Sequence, residues 1–328
     1  MVAGIIAGIT WALETIVIAI AMGMSPLNLS TAEGVLVGTL VATFLHDACS
    51  AIWSCIYNGV RGNLPNVWRA FKTRSGKFVV LAAAIGGPIG MTGYLLCVNN
   101  LGASIGAVAS AIFPAIGTVL AYIFLKEKMK WYQWIFLLLT LAGVYGLSYS
   151  PEIQVENFVL GVIGALMCAF GWGIEAVILA KSLTDPEVTD EYALQIRQTT
   201  SALVYGVVLL PIFTFFGVTE TKGWNLVIDV FSGNTGWLIP TIVLAAFFAT
   251  VSYLFYYKAI AQIGASKAMV LNVTYVAWAL VLSLILSVFG IVAKPALSPL
   301  VIICTLVVLV CGVFAAANFK DIFGKKED

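Results

Sequence analysis

Ten apolar stretches, each close to the roughly 20 residues that cross a bilayer as a helix, leave this chain few ways to fold. They run over about 3–24, 34–58, 77–98, 103–125, 131–149, 159–181, 195–217, 237–259, 266–290 and 297–319. Lipid offers no hydrogen bonds, so a single span must satisfy its own backbone as a helix. Of the 328 residues 61% are hydrophobic and 10% charged, where a soluble domain carries about 25% charged. The pattern predicts an all-α polytopic membrane protein. No basic leader precedes the first span and no small-residue cleavage site follows it, so it is expected to be retained.

The basic residues predict the orientation. Arg61, Arg69, Lys72, Arg74 and Lys77 crowd the connection between spans two and three, and Lys126, Lys128 and Lys130 follow span four. With Arg197 counted as a flank of span seven, fifteen Lys and Arg fall on one side and only Lys222 and Lys294 on the other. This bias places both termini in the cytoplasm of a multi-pass protein of the cell (inner or plasma) membrane. Segment 61–77 also reads as a contact for anionic membrane lipid.

The chain divides near Pro151 into halves 1–150 and 151–328, each with five spans. An odd number of spans per half turns the second over, so the ten helices form two inverted five-helix repeats. Two landmarks support the repeat. Trp11-Ala12-Leu13-Glu14 returns as Trp172-Gly173-Ile174-Glu175, offset by 161 residues. Tyr94 through Leu101-Gly102-Ala103-Ser104 returns as Tyr256 through Ile263-Gly264-Ala265-Ser266, offset by 162.

Stretch Tyr94–Tyr145, with Leu101-Gly102-Ala103-Ser104, Phe113-Pro114 and Leu125-Lys126-Glu127, resembles the first repeat of the drug/metabolite transporter superfamily in its ten-helix EamA-like branch. Stretch Tyr253–Gly312, with Tyr257-Lys258-Ala259 and Ile263-Gly264-Ala265-Ser266, resembles the second. It departs from the family pattern where Val276 replaces a proline and where no glutamate follows span nine. The first-helix glutamate is similar to that of the small multidrug exporters, as if an antiparallel dimer were fused into one chain. The aromatic residues around the carboxylates resemble the choline-uptake branch. These resemblances imply an alternating-access transporter, with uptake as its direction.

A carboxylate at mid-bilayer depth costs about 2.5–3.5 kcal/mol on insertion scales and so tends to mark a substrate or ion site. Trp11 and Glu14 share a helical face, with Gly4 and Gly8 on the same stripe allowing a close helix approach. Trp172 and Glu175 repeat that geometry. Tyr253 and Tyr256, Tyr275 and Trp278, and Tyr94 supply further rings. Trp, Tyr and carboxylate together describe a cage for a small organic cation, best a quaternary ammonium such as choline. Each cation–π contact contributes about 0.5–2 kcal/mol. Two or three of them with one ion pair reach micromolar affinity, about −8 kcal/mol.

A cation arriving between two buried carboxyls can displace a proton, so Glu14 and Glu175 are candidates for proton coupling. His46 and Asp47 of span two are candidates as well, although neighbours on a helix diverge by about 100° and are not each other's partner by default. Asn99, Asn272 and Gln198 could orient a polar group of the substrate. With no Arg or Lys read at mid-depth, an anionic substrate is disfavoured.

Other classes find little support. The sole histidine has no metal-ligand spacing, no GxSxG-like motif appears, and the six cysteines lie in apolar spans without a CxxC pair. No metal, cofactor or enzymatic activity is expected, and no nucleic-acid partner. A monomer or weak dimer is expected. Export of amino acids or other metabolites stands as the alternative to cation transport.

Overall fold

The computed structural model describes residues 1–149, 155–216, 219–233 and 235–318, with backbone alone at 103 and 104. The predicted division between the halves, at 150/151, lies outside the described residues. The ten spans are all helical. They are α1 (Val2–Met22), α2 (Ala32–Val60), α3 (Arg74–Leu101), α4 (Ile105–Leu125), α5 (Trp131–Ser148), α6 (Phe158–Ser182), α7 (Asp190–Phe215), α8 (Leu238–Ile263), α9 (Ala265–Val288) and α10 (Pro299–Ala316). Two short helices that the sequence reading did not anticipate, Leu64–Lys72 and Gly223–Ser232, lie before α3 and before α8.

The two five-helix repeats are visible in the backbone. Gly102 joins α3 to α4 at φ 89°, ψ 158°, and Gly264 joins α8 to α9 at φ 88°, ψ 162°. That region is essentially closed to residues with a Cβ, which accounts for glycine at both links. Ten residues further on, the helices break at Ile112 and at Thr274, again 162 apart, and new helices start at Phe113 and Tyr275. In the first repeat Pro114 sits in the opening turn. In the second Val276 stands there, and the break instead coincides with the Thr274 hydroxyl donating to the Leu271 carbonyl at 2.6 Å, a local bond that competes with the helical ladder.

Packing follows the same symmetry. Helix α1 runs along α8, and their repeat equivalents α6 and α3 also run together. Gly93 and Gly164 let α3 and α6 meet at backbone distance. A Cβ on Gly164 would lie 2.5 Å from the Gly93 carbonyl oxygen. Gly4 and Gly8 of α1 face Leu271 and Thr274 of α9 in the same way.

One feature has no repeat equivalent. Glu127, just after α4, accepts from the Ala265 amide at 2.9 Å, the Ser266 amide at 3.0 Å and the Ser266 hydroxyl at 2.7 Å. It thereby caps α9 at the Gly264 link. The residue 162 positions on is Phe289.

Candidate functional site

The first turns of α7 decide what this site contains. Thr189 caps the helix and Asp190 and Glu191 occupy its first turn. The helix therefore begins five residues earlier than the apolar run indicates. Arg197 consequently lies two turns inside α7, only 4% exposed. This corrects two expectations: Arg197 is not a flanking charge, and the span interior does hold an arginine.

Arg197 is held by two carboxylates, an amide and a ring. Its Nε donates to Glu175 Oε1 at 3.1 Å. Its Nη1 donates to Gln198 Oε1 at 2.6 Å and lies 3.5 Å from Asp47 Oδ2. Its guanidinium sits 4.5 Å from the centre of the Tyr253 ring. Asp47 Oδ2 also accepts from Ser201 at 2.5 Å, and Gln198 donates to Ser50 at 2.5 Å. A buried guanidinium compensated by two carboxylates and an aromatic face is the arrangement expected for a charge taken out of water.

His46 and Asp47 do meet, contrary to the expectation from helical geometry. His46 Nδ1 lies 3.0 Å from Asp47 Oδ1. If that nitrogen donates, Nε2 is left facing Glu14 Oε1 at 3.4 Å. A second proton on the ring would join Glu14, His46 and Asp47 in one line, continued through Arg197 to Glu175. Glu14 itself is weakly held: Thr15 donates to its Oε2 at 3.3 Å, and His46 Nε2 makes no hydrogen bond. The two repeat-related glutamates, 6% and 8% exposed, thus differ sharply in what compensates them.

The rings keep the repeat symmetry better than the charges do. Trp11 meets the Tyr275 ring edge-on at 6.4 Å, and Trp172 meets Phe113, the repeat equivalent of Tyr275, edge-on at 5.8 Å. Trp11 also contacts Tyr253 at 5.0 Å, while Trp172 stacks with Tyr94 at 6.2 Å. Trp172 is further fixed by donating its indole N–H to the Gly86 carbonyl at 2.9 Å. Gly86 belongs to a stretch of wide helical turn, Ile85–Gly90, around Pro88. Proline has no N–H for the ladder, and such wide turns recur at functional sites.

Between these groups lies a cavity of about 280 Å³, whose walls include Trp11, Glu14, Trp172, Glu175, Tyr253 and Tyr256. Tyr94, Tyr275, His46, Asp47 and Asn272 reach it as well. Trp278 does not line it, although Tyr275 does, because residues three apart on α9 do not both turn inward here. Asn99 is also absent from the walls, and Gln198 is buried in the polar network beside Arg197. Tyr205, Tyr257 and Asn272 are wall residues, but among the described residues their hydroxyls and side-chain oxygen are buried without a hydrogen-bond partner.

Residues 1–149 match the EamA-like transporter family. The first half of the chain is an EamA-like transporter domain. Across its length the protein is 29% identical to Protein LicB of Haemophilus influenzae, covering 97% of each chain. It is 25% identical to an S-adenosylmethionine uptake transporter of Rickettsia felis, over 48% of this chain and 50% of that one. A solved crystal structure overlays with a TM-score of 0.61 at 16% identity, covering 96% of this chain and 95% of the other, which is a likeness of fold alone. Its ten apolar helices and the match of its first half mark a multi-pass membrane protein related to the EamA-like transporters.

Proposed function

We propose that this transporter carries a small organic cation, with choline or a related quaternary ammonium as the best fit, into the cell by alternating access. The single observation that carries this reading is the under-compensated Glu14 on the wall of a ring-lined cavity, next to Trp11. The cavity's 280 Å³ lies just below the usual range for small-molecule sites, about 300–1,000 Å³, and so suits a small substrate. An ammonium without N–H donors gains from aromatic faces and a single counter-ion rather than from a dense set of acceptors. A substrate hydroxyl would find the hydroxyl of Tyr253 or Tyr256 on the wall. S-adenosylmethionine, named for one relative, also carries an onium charge, here on sulfur.

In this reading Glu14 is the substrate's counter-ion, and the two halves rock about the midplane site. The basic connections face the cytoplasm, with segment 61–77 against anionic lipid. On that segment Trp68 and Phe71 are exposed and stacked at 5.5 Å, with Lys72 over the Trp68 ring at 4.9 Å. A proton shared between Glu14 and His46 would leave or move when the cation arrives, coupling the two. Anionic substrates remain disfavoured, because Arg197 is already compensated.

Calorimetric titration of the purified protein with choline, and with its uncharged carbon isostere 3,3-dimethylbutan-1-ol, tests the proposal. Micromolar choline binding with none for the isostere is expected. Equal binding of both, or no response to any onium ion, would overturn it.

A further inference from the structure

Two carboxylates related by an internal repeat would ordinarily make a site for two cations, or for one dication spanning both. Here the halves are unequal. The Glu175 half already holds a positive charge on a side chain: the guanidinium of Arg197, 3.1 Å from Glu175, 3.5 Å from Asp47 and face-on to Tyr253 at 4.5 Å. It makes the contacts a bound organic cation would make, namely a carboxylate at one edge and an aromatic face. Among the described residues the Glu14 half holds no arginine or lysine, only the titratable His46. Its carboxylate sees only Thr15 and the unbonded His46 nitrogen.

We infer that Arg197 acts as a tethered cation that fills one of two repeat-related cation sites, making this transporter selective for singly charged substrates bound at Glu14. Resting on the cation-transport reading above, this assigns Arg197, itself a wall residue of the cavity, a specificity role exerted by occupying the Glu175 half. The backbone is shaped for the arrangement on the Glu175 side. A Cβ on Gly86 would lie 1.7 Å from Glu175 Oε2, and one on Gly87 would lie 2.4 Å from Ser201 Oγ and 3.8 Å from Arg197 Nη2. Two adjacent glycines of α3 thus leave room for the pair and for the serine that holds Asp47.

Charge counting leads to the same selectivity once His46 carries its second proton. Glu14, Asp47 and Glu175 bring three negative charges when ionised, and Arg197 with a doubly protonated His46 cancels two, leaving one for a singly charged substrate. A second cation entering the Glu175 half would meet the guanidinium at contact distance, a repulsion that low-dielectric surroundings make severe. Without Arg197 that half would present two carboxylates and the Tyr253 face, enough for another onium group.

The test compares tetramethylammonium with a diquaternary ion, 1,2-bis(trimethylammonio)ethane, by calorimetry on the full-length protein in detergent. Wild type is expected to bind tetramethylammonium at one site and the dication no better. Arg197→Gln is expected to gain about tenfold in affinity for the dication relative to tetramethylammonium. Removing a buried guanidinium can unfold the chain, so Glu175→Gln/Arg197→Gln, which deletes both charges of the pair, provides a second measurement. This double variant should bind tetramethylammonium about tenfold more tightly than Glu14→Gln does, with no preference for the dication. A folded Arg197→Gln without dication gain, or a double variant as weak as Glu14→Gln, would overturn the inference while leaving cation transport standing. Failure of wild type to bind tetramethylammonium or choline would remove both.

Discussion

Gly86 stands so close to Glu175 that a β-carbon at position 86 would lie 1.7 Å from the carboxylate oxygen Oε2. The relation joins the glycine–proline stretch of α3 to the charge chain of α6 and α7. Gly86→Ala must therefore push Glu175 off Arg197, an overpacking effect of about 1–3 kcal/mol. The thermal midpoint of the purified protein is expected to fall. Adding Glu175→Ala should recover part of the loss, since the two positions share one space. Additive losses would argue against the contact.

The two repeat-related tryptophans are expected to respond differently. Trp172 donates to the Gly86 carbonyl, so Trp172→Phe strands a buried acceptor and should cost about 1–3 kcal/mol of stability. Trp11 packs edge-on against Tyr253 and Tyr275 without such a bond. Trp11→Phe should therefore leave the thermal midpoint nearly in place. Trp11→Ala should weaken choline binding by about 0.5–2 kcal/mol, the worth of one desolvated cation–π contact. Parallel thermal and calorimetric titrations separate the two effects.

Glu127 holds the start of α9 through two amides and one hydroxyl. Glu127→Ala should cost about 0.5–2 kcal/mol, with faster amide hydrogen exchange confined to residues 265–268. Exchange unchanged in that turn would show that the cap contributes nothing.

The line Glu14–His46–Asp47 bears on pH. Groups facing His46 are Glu14 through Nε2, Asp47 through Nδ1 and, further off, Arg197. Each proton added to this set makes it more positive, so choline binding is expected to weaken as the pH falls. Binding should then release protons, read as a calorimetric heat that depends on the buffer's ionisation enthalpy. His46→Gln should reduce that dependence. Heats identical in all buffers would exclude proton release on binding.

Much of the fold was legible in the sequence because bilayer thickness and hydropathy constrain it tightly. The Trp–Glu and Gly-Ala-Ser pairs exposed the repeat because a glycine link at φ near 90° admits no other residue. The α7 boundary was not legible from hydropathy. Thr189 followed by Asp190 and Glu191 is a helix-start signal, and weighing it above the apolar run would have put Arg197 inside. Gly86-Gly87-Pro88 was likewise readable as a disturbed turn, but not as the pocket for Glu175, because that contact joins residues 89 positions apart. Phe113 stands in the sequence as part of the Phe113-Pro114 motif, and only the repeat offset of 162 that pairs it with Tyr275 marks it as a ring of the site. The His46–Asp47 contact depends on side-chain rotamers, which helical phase alone does not settle.

The most direct measurement is uptake of labelled choline into proteoliposomes, comparing wild type with Glu14→Gln at matched reconstitution and confirmed folding. Saturable uptake by wild type, lowered by at least about tenfold in Glu14→Gln, is expected, because the variant keeps the shape and loses the counter-ion. Equal uptake by both proteins would contradict the assignment of Glu14 as the substrate's partner.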